Sequence, residues 1–134
     1  MTAGKTELPK SGHILRYVYL FKEEKARGRE EGVKERFVAV VGFEDGQYRV
    51  AAITTKGERQ SSAIALPSEV AKAAGLSPDS SIVVSEFNRF TWPGYDIRPL
   101  MKKPGYIAGR LPPGFTDKII SEIKARGAHA VDRD

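Results

Sequence analysis

Apolar residues alternate near the start of the chain. In residues 13–21 (HILRYVYLF), Ile14, Arg16, Val18 and Leu20 share one side of an extended chain. Leu15, Tyr17, Tyr19 and Phe21 share the other. β-Branched and aromatic residues dominate, so the pattern predicts a strand with both faces partly covered. Residues 36–43 (RFVAVVGF) form a continuous apolar run, the mark of a buried strand. Asp45-Gly46 follows, then the apolar run 48–55 (YRVAAITT), which predicts a tight hairpin. Gly57 breaks the return strand. Residues 61–66 and 80–89 read as two further strands.

Two stretches have a different period. Residues 67–75 place proline first, alanines inside and glycine last, which predicts a short helix. Ile119, Ile120 and Ile123 form an apolar stripe ahead of Gly127, so a helix is predicted over 117–126, capped by Thr116. Between residues 22 and 36 lie six cations and five acids with almost nothing apolar. That stretch predicts a charged loop or a short solvated helix. Pro93-Gly94, Pro99 and Pro104-Gly105 predict turns and irregular chain.

The expected fold is mostly β with α. It is a small SH3-like antiparallel β-barrel with a short helix and a C-terminal helix packed on it. Residues 1–11 are expected to be a disordered lead, 12–127 the barrel domain and 128–134 a flexible tail.

Composition narrows the chemistry. The chain has 134 residues, 40% of them hydrophobic, which suits one domain with one core. It has no cysteine, so disulfides and thiolate metal sites are excluded. His13 and His129 are far apart in sequence, a poor basis for an imidazole metal site, and no metal or cofactor is expected. No apolar run reaches membrane-spanning length, and the first residues have no signal-peptide core, so a cytoplasmic protein is expected.

The net charge of +5 is unevenly placed. Residues 87–110 carry Arg89, Arg98, Lys102, Lys103 and Arg110 against one acid, Asp96, together with Phe87, Phe90, Trp92, Tyr95 and Tyr106. Cations attract phosphates and aromatic faces stack on unpaired bases, so this segment points to single-stranded nucleic acid. The same composition also fits core aromatics beside a solvated loop. The 92–96 stretch likewise either reads a base or turns a corner of the fold with Trp92 buried.

Several segments, in order, resemble the MazF/PemK family of toxins. They are Gly12-x-Ile14, a charged loop, a second strand opened by Arg36, and a third ending in Ile53-Thr54. Gly75-Leu76-Ser77-Pro78 follows, then Glu86 three residues before Arg89, then Gly109-Arg110-Leu111 and a closing helix. The resemblance spans about residues 12–126. It implies a metal-independent endoribonuclease that cuts single-stranded RNA, pairs as a homodimer and is neutralised by a cognate antitoxin.

It further implies that Arg36 and Thr54 carry the chemistry, with Arg89 as a second functional arginine and Glu31 as the proton acceptor. Glu86 is an alternative acceptor. Thr55, Asn88, Lys102 and Lys103 would contact the RNA. Arginine suits the task because it stays charged and can grip a phosphate with two parallel hydrogen bonds. The sequence departs from the family at three points. Phe37 replaces a proline, Gly32 stands farther from Arg36 than usual, and Thr91 stands where some members have a catalytic aspartate. That last departure keeps two other functions open: a CcdB-like toxin that binds DNA gyrase without cutting, and a catalytically silent nucleic-acid-binding barrel.

Overall fold

The structure, a computed structural model, describes residues 8–26, 28, 34–55 and 62–134. The strands are β1 His13–Tyr19, β2 Lys34–Glu44, β3 Gln47–Thr54, β4 Ala63–Ala65, β5 Ser81–Val83, β6 Glu86–Thr91, β7 Ile97–Arg98, β8 Ile107–Arg110 and β9 His129–Asp132. The helices are α1 Lys22–Ala26, α2 Ser68–Ala73 and α3 Pro113–Ala125. Strand pairing is antiparallel except between β6 and β9, which run parallel.

The β2–β3 hairpin turns at Asp45-Gly46, both at positive φ (53° and 78°). This is the twist-matched two-residue turn that Asp-Gly favours. From it the ladder runs Phe43 with Tyr48, Val40 with Val50 and Val38 with Ala52, through one bulge between Val40 and Gly42. β1 lies on the far side of β2, and β6 beside the first half of β3.

Strand alternation divides the apolar residues between two cores. One holds Ile14, Ala39, Ala51, Ile82 and Phe87 with Ala71 of α2 and Ile119 and Ile123 of α3. The opposite face holds Leu15, Tyr17, Tyr19, Val38, Val40, Val50, Ala52 and Phe90, with Phe21 from just beyond β1. The two-sided strand read in residues 13–21 is therefore found, and each side meets a different core.

The strands form one open sheet in the order β4-β5-β3-β2-β1-β7, with β6, β8 and β9 as branches. Among the described residues no backbone ladder joins its ends. Side chains of β6 reach the chain leaving β1 instead. Asn88 Oδ1 accepts from Leu20 N at 3.0 Å, and Asn88 Nδ2 donates to Leu20 O at 2.8 Å. One amide thus takes both bonds that a strand partner would take. Glu86 Oε1 accepts from Lys22 N at 2.9 Å.

Four expectations are corrected. The run 80–89 holds two strands, not one. β5 pairs Ile82 with Ile53, and β6 pairs Arg89 with Arg49, so the chain bends at Val84-Ser85 to change register along β3. Thr116 does not cap α3. The helix starts at Pro113, and Thr116 Oγ1 donates back to Pro112 O at 2.9 Å from inside it. The segment expected as a free tail, 128–134, holds β9, which pairs with β6 from Glu86↔His129 to Arg89↔Asp132. The end of the expected lead is packed as well: Pro9 is buried, and its carbonyl accepts from the Tyr48 hydroxyl at 2.8 Å. The predicted break at Gly57, the start of the strand predicted over 61–66, and Glu31 lie outside the described residues.

Candidate active site and nucleic-acid interface

Arg36 lies near the start of β2, directly opposite Tyr17 of β1. It shares the side of Val38 and Val40, the face of the tyrosine-rich core. Its half-exposed guanidinium sits over the Phe21 ring, 5.0 Å from the centroid, so the cation rests at the rim of that core.

Thr54 ends β3 with the alternation of Val50 and Ala52, so it belongs to the same face. The β2–β3 pairing ends at Val38 and Ala52, and Arg36 and Thr54 each lie two residues beyond that pair on their strands. Thr54 is 3% exposed, so its hydroxyl lies beneath the rim and not on it. Thr55, the next residue, is exposed.

Beneath Arg36 lies a buried polar group. The Tyr19 hydroxyl donates to Glu86 Oε1 at 3.4 Å. Burial, followed by the Glu86 charge, pushes the Tyr19 hydroxyl well above its ordinary value, against the opposing charge of Arg36. Burial also raises Glu86, 5% exposed, although the hydrogen bond from Lys22 N, the charge of Lys22 and the bond from Tyr19 oppose the rise. A carboxylate so enclosed and already accepting two bonds is suited to holding the seam between β1 and β6. Glu86 therefore supports the site from below.

Of the other expected residues, Arg89 and Asn88 do not join Arg36. Arg89 has the alternation of Phe87 and points to the helix-covered face. There it stands opposite Arg49, whose guanidinium lies 5.1 Å from the Phe87 centroid. Arg89 pairs with Asp132 of β9 at 3.3 Å. Asn88 is fully buried and spends its amide on Leu20, so it does not face a ligand. Lys102 and Lys103 are exposed in the loop between β7 and β8. Among the described residues no three His, Asp or Glu side chains converge in a way that would hold a metal ion, and no helix is long and apolar enough to cross a membrane.

Sequence reasoning missed Tyr19 as part of the site, and it missed the pairing of Asp96 with Arg133. Arg133 Nε and Nη2 donate to the two oxygens of Asp96 at 3.1 and 2.9 Å. The two residues are 37 positions apart, and no local pattern links them. Trp92 is half-buried, held edge-to-face by Tyr48 and Tyr106 at centroid distances of 5.8 and 5.3 Å. Comparison with known proteins finds no family model and no curated protein that matches the chain.

Proposed function

We propose that the protein is a toxin-type endoribonuclease that cuts single-stranded RNA without a metal, works as a homodimer in the cytoplasm and is silenced by an antitoxin. The sheet is read as a partly open SH3-like barrel whose seam is made by Asn88 and Glu86. One observation supports the reading above others. Arg36 and Thr54, the two residues that the family resemblance assigns to the chemistry, follow the alternation of adjacent strands onto the same sheet face, with the Arg36 guanidinium over Phe21 and Thr54 buried.

In such a reaction the 2′-hydroxyl attacks the adjacent phosphorus. The new P–O2′ bond forms as the P–O5′ bond breaks. The 2′-hydroxyl proton passes to the acceptor and the leaving 5′-oxygen takes a proton from water, giving a 2′,3′-cyclic phosphate and a 5′-hydroxyl. Negative charge grows on the non-bridging oxygens, and a preorganised guanidinium stabilises that charge more than the ground state. Glu86 is enclosed and occupied, so the proton acceptor in this reading is Glu31, five residues before Arg36. In this reading Thr54, buried at the end of β3, is a supporting residue and not a phosphate contact.

The test is incubation of the purified protein with mixed-sequence RNA in EDTA. Cyclic-phosphate ends are expected, with loss of cutting in Arg36→Ala and Glu31→Gln. Cutting that requires added magnesium, or that survives Arg36→Ala, would reject the mechanism. A second reading, a catalytically silent nucleic-acid binder, draws support from Arg89, which lies on the other face, and from the enclosure of Thr54. It predicts RNA binding with no cleavage under any condition. Light scattering at tens of micromolar tests the dimer, and a monomer mass would count against it.

A further inference from the structure

Beyond Phe90 the chain folds back on itself. Gly94 has φ +65°, and a Cβ there would stand 2.9 Å from the Phe90 ring. Only glycine permits that approach. The turn leaves Tyr95 pointing outward, 96% exposed, on one wall of an open pocket of about 460 Å3. Phe90, Trp92 and Pro93 supply the rest of its apolar lining, and Asp96, Arg133 and Asp134 its polar end. A volume of this order suits a small planar ligand.

The polar end is built, not incidental. The Arg133 side chain is 6% exposed and locked by two bonds to Asp96. Behind them stands the buried Tyr17 hydroxyl, which makes no hydrogen bond of ordinary geometry, although the charges of Asp96 and Arg133 both act on it. Asp134 accepts from Thr91 N at 2.8 Å, the Thr91 hydroxyl at 2.6 Å and Gln47 Nε2 at 2.8 Å. The bonds from Thr91 and Gln47 hold its carboxyl below the usual range, so it is an ionised acceptor at neutral pH.

Aromatic walls therefore meet an end where carboxylates outnumber cations. A phosphate is repelled there, and an N–H donor is attracted. Phosphates find cations outside the pocket. Arg98 braces the same turn through a 2.7 Å bond to Tyr95 O, and Lys102 and Lys103 follow in the exposed loop.

We propose that this pocket is a nucleobase subsite, which stacks one unpaired base bearing an exocyclic amino group between its aromatic walls while its acidic end accepts the amino hydrogens. It rests on the RNA reading above for the source of the base. Adenine, cytosine and guanine carry such a group; uracil, which offers a single ring N3–H and no amino group, is held less well. The subsite would thus set which nucleotide is held while a neighbouring phosphate is presented elsewhere.

Trp92 is the only tryptophan, so its emission reports on the pocket wall directly. The experiment titrates the full chain with 2′-O-methyl hexanucleotides of A, C or U, which bind but lack the attacking hydroxyl. A and C hexamers should quench Trp92 and bind more tightly than U. Tyr95→Ala should weaken A binding by about fivefold or more, the loss of one stacking face. Because Tyr95 faces solvent, its truncation leaves the fold in place. Asp134→Asn should erase the preference over U.

Equal binding of all three hexamers with unchanged Trp92 emission overturns the proposal, as does unaltered binding by both variants. Cleavage of unmodified RNA, measured on the same preparations, separates the two ideas. Cutting without quenching removes the subsite alone, and base-selective quenching without cutting removes the nuclease alone.

Discussion

Arg36 and Arg89 project from opposite faces of the same sheet. Arg36 follows the alternation of Val38 and Val40 into the tyrosine-rich core, and Arg89 follows Phe87 into the helix-covered one. β3 lies between their strands, so one phosphate cannot sit between the two guanidiniums as in a two-arginine clamp.

The two arginines should therefore behave differently when removed. Arg36→Ala is expected to slow RNA cleavage about a hundred- to a thousandfold, the usual loss for one preorganised charge donor. Arg89→Ala loses a half-exposed pair with Asp132, which contributes about 1 kcal/mol or less. Its cleavage rate should stay within about threefold of the parent, a change too small to place it at a transition state. Single-turnover rates on one RNA decide the matter, and equal losses would mean that both arginines grip the substrate.

Asn88→Ala tests the seam. The substitution leaves Leu20 N and Leu20 O without their buried partner. Two such groups cost about 2–6 kcal/mol together. Urea unfolding should show that loss. A variant of parental stability with weakened RNA binding would instead return Asn88 to the ligand-contacting set.

How much of this was legible in the sequence depended on how far apart the interacting residues lie. The Asp45-Gly46 hairpin was readable because the turn type demands those two residues at positive φ. Both faces of β1 were readable because its alternation is local. The break at Val84-Ser85 was hidden because residues 82–84 and Phe87 read as one strand with no glycine or proline between them, and only the change of partner along β3 reveals it. β9 was missed because His129–Asp132 has just two apolar residues and gains its strand character from parallel pairing with β6.

In the candidate site, the alternation of β2 and β3 puts Arg36 and Thr54 on one sheet face, while Asn88, expected to contact RNA, is buried. Asparagine is usually exposed, and its burial here follows from a backbone 68 residues away that needed a donor and an acceptor.

Lys102 and Lys103 are exposed and follow the short strand β7. If they meet RNA phosphates, changing both to alanine should reduce the slope of log affinity against log salt by about 1.4, two cations at ~0.7 each for a single strand. Affinity measured from low to moderate salt gives that slope. An unchanged slope would show that the loop is only solvated.

Glu86 gives a signature in stability and not in rate. Its carboxyl is raised in the folded protein, chiefly by burial. In the unfolded chain it titrates near the ordinary ~4.3. Between that value and the raised one, the folded state holds more protons than the unfolded state. Stability from this group is therefore fully present below pH ~4, falls as pH rises through the raised value, and levels off above it. Glutamine is neutral throughout, and its carbonyl can still accept from Lys22 N.

The stability of Glu86→Gln minus that of the parent should thus be near zero at pH ~4 and grow in favour of the variant toward neutral pH. Taking this difference cancels the other carboxylates, including Asp134, whose lowered value works in the opposite sense at more acid pH. Thermal melts of both proteins from pH 4 to 8 measure it. A difference that is constant with pH would mean that Glu86 is not raised. A Glu86→Gln variant that melts as predicted but no longer cuts RNA would make Glu86, not Glu31, the proton acceptor.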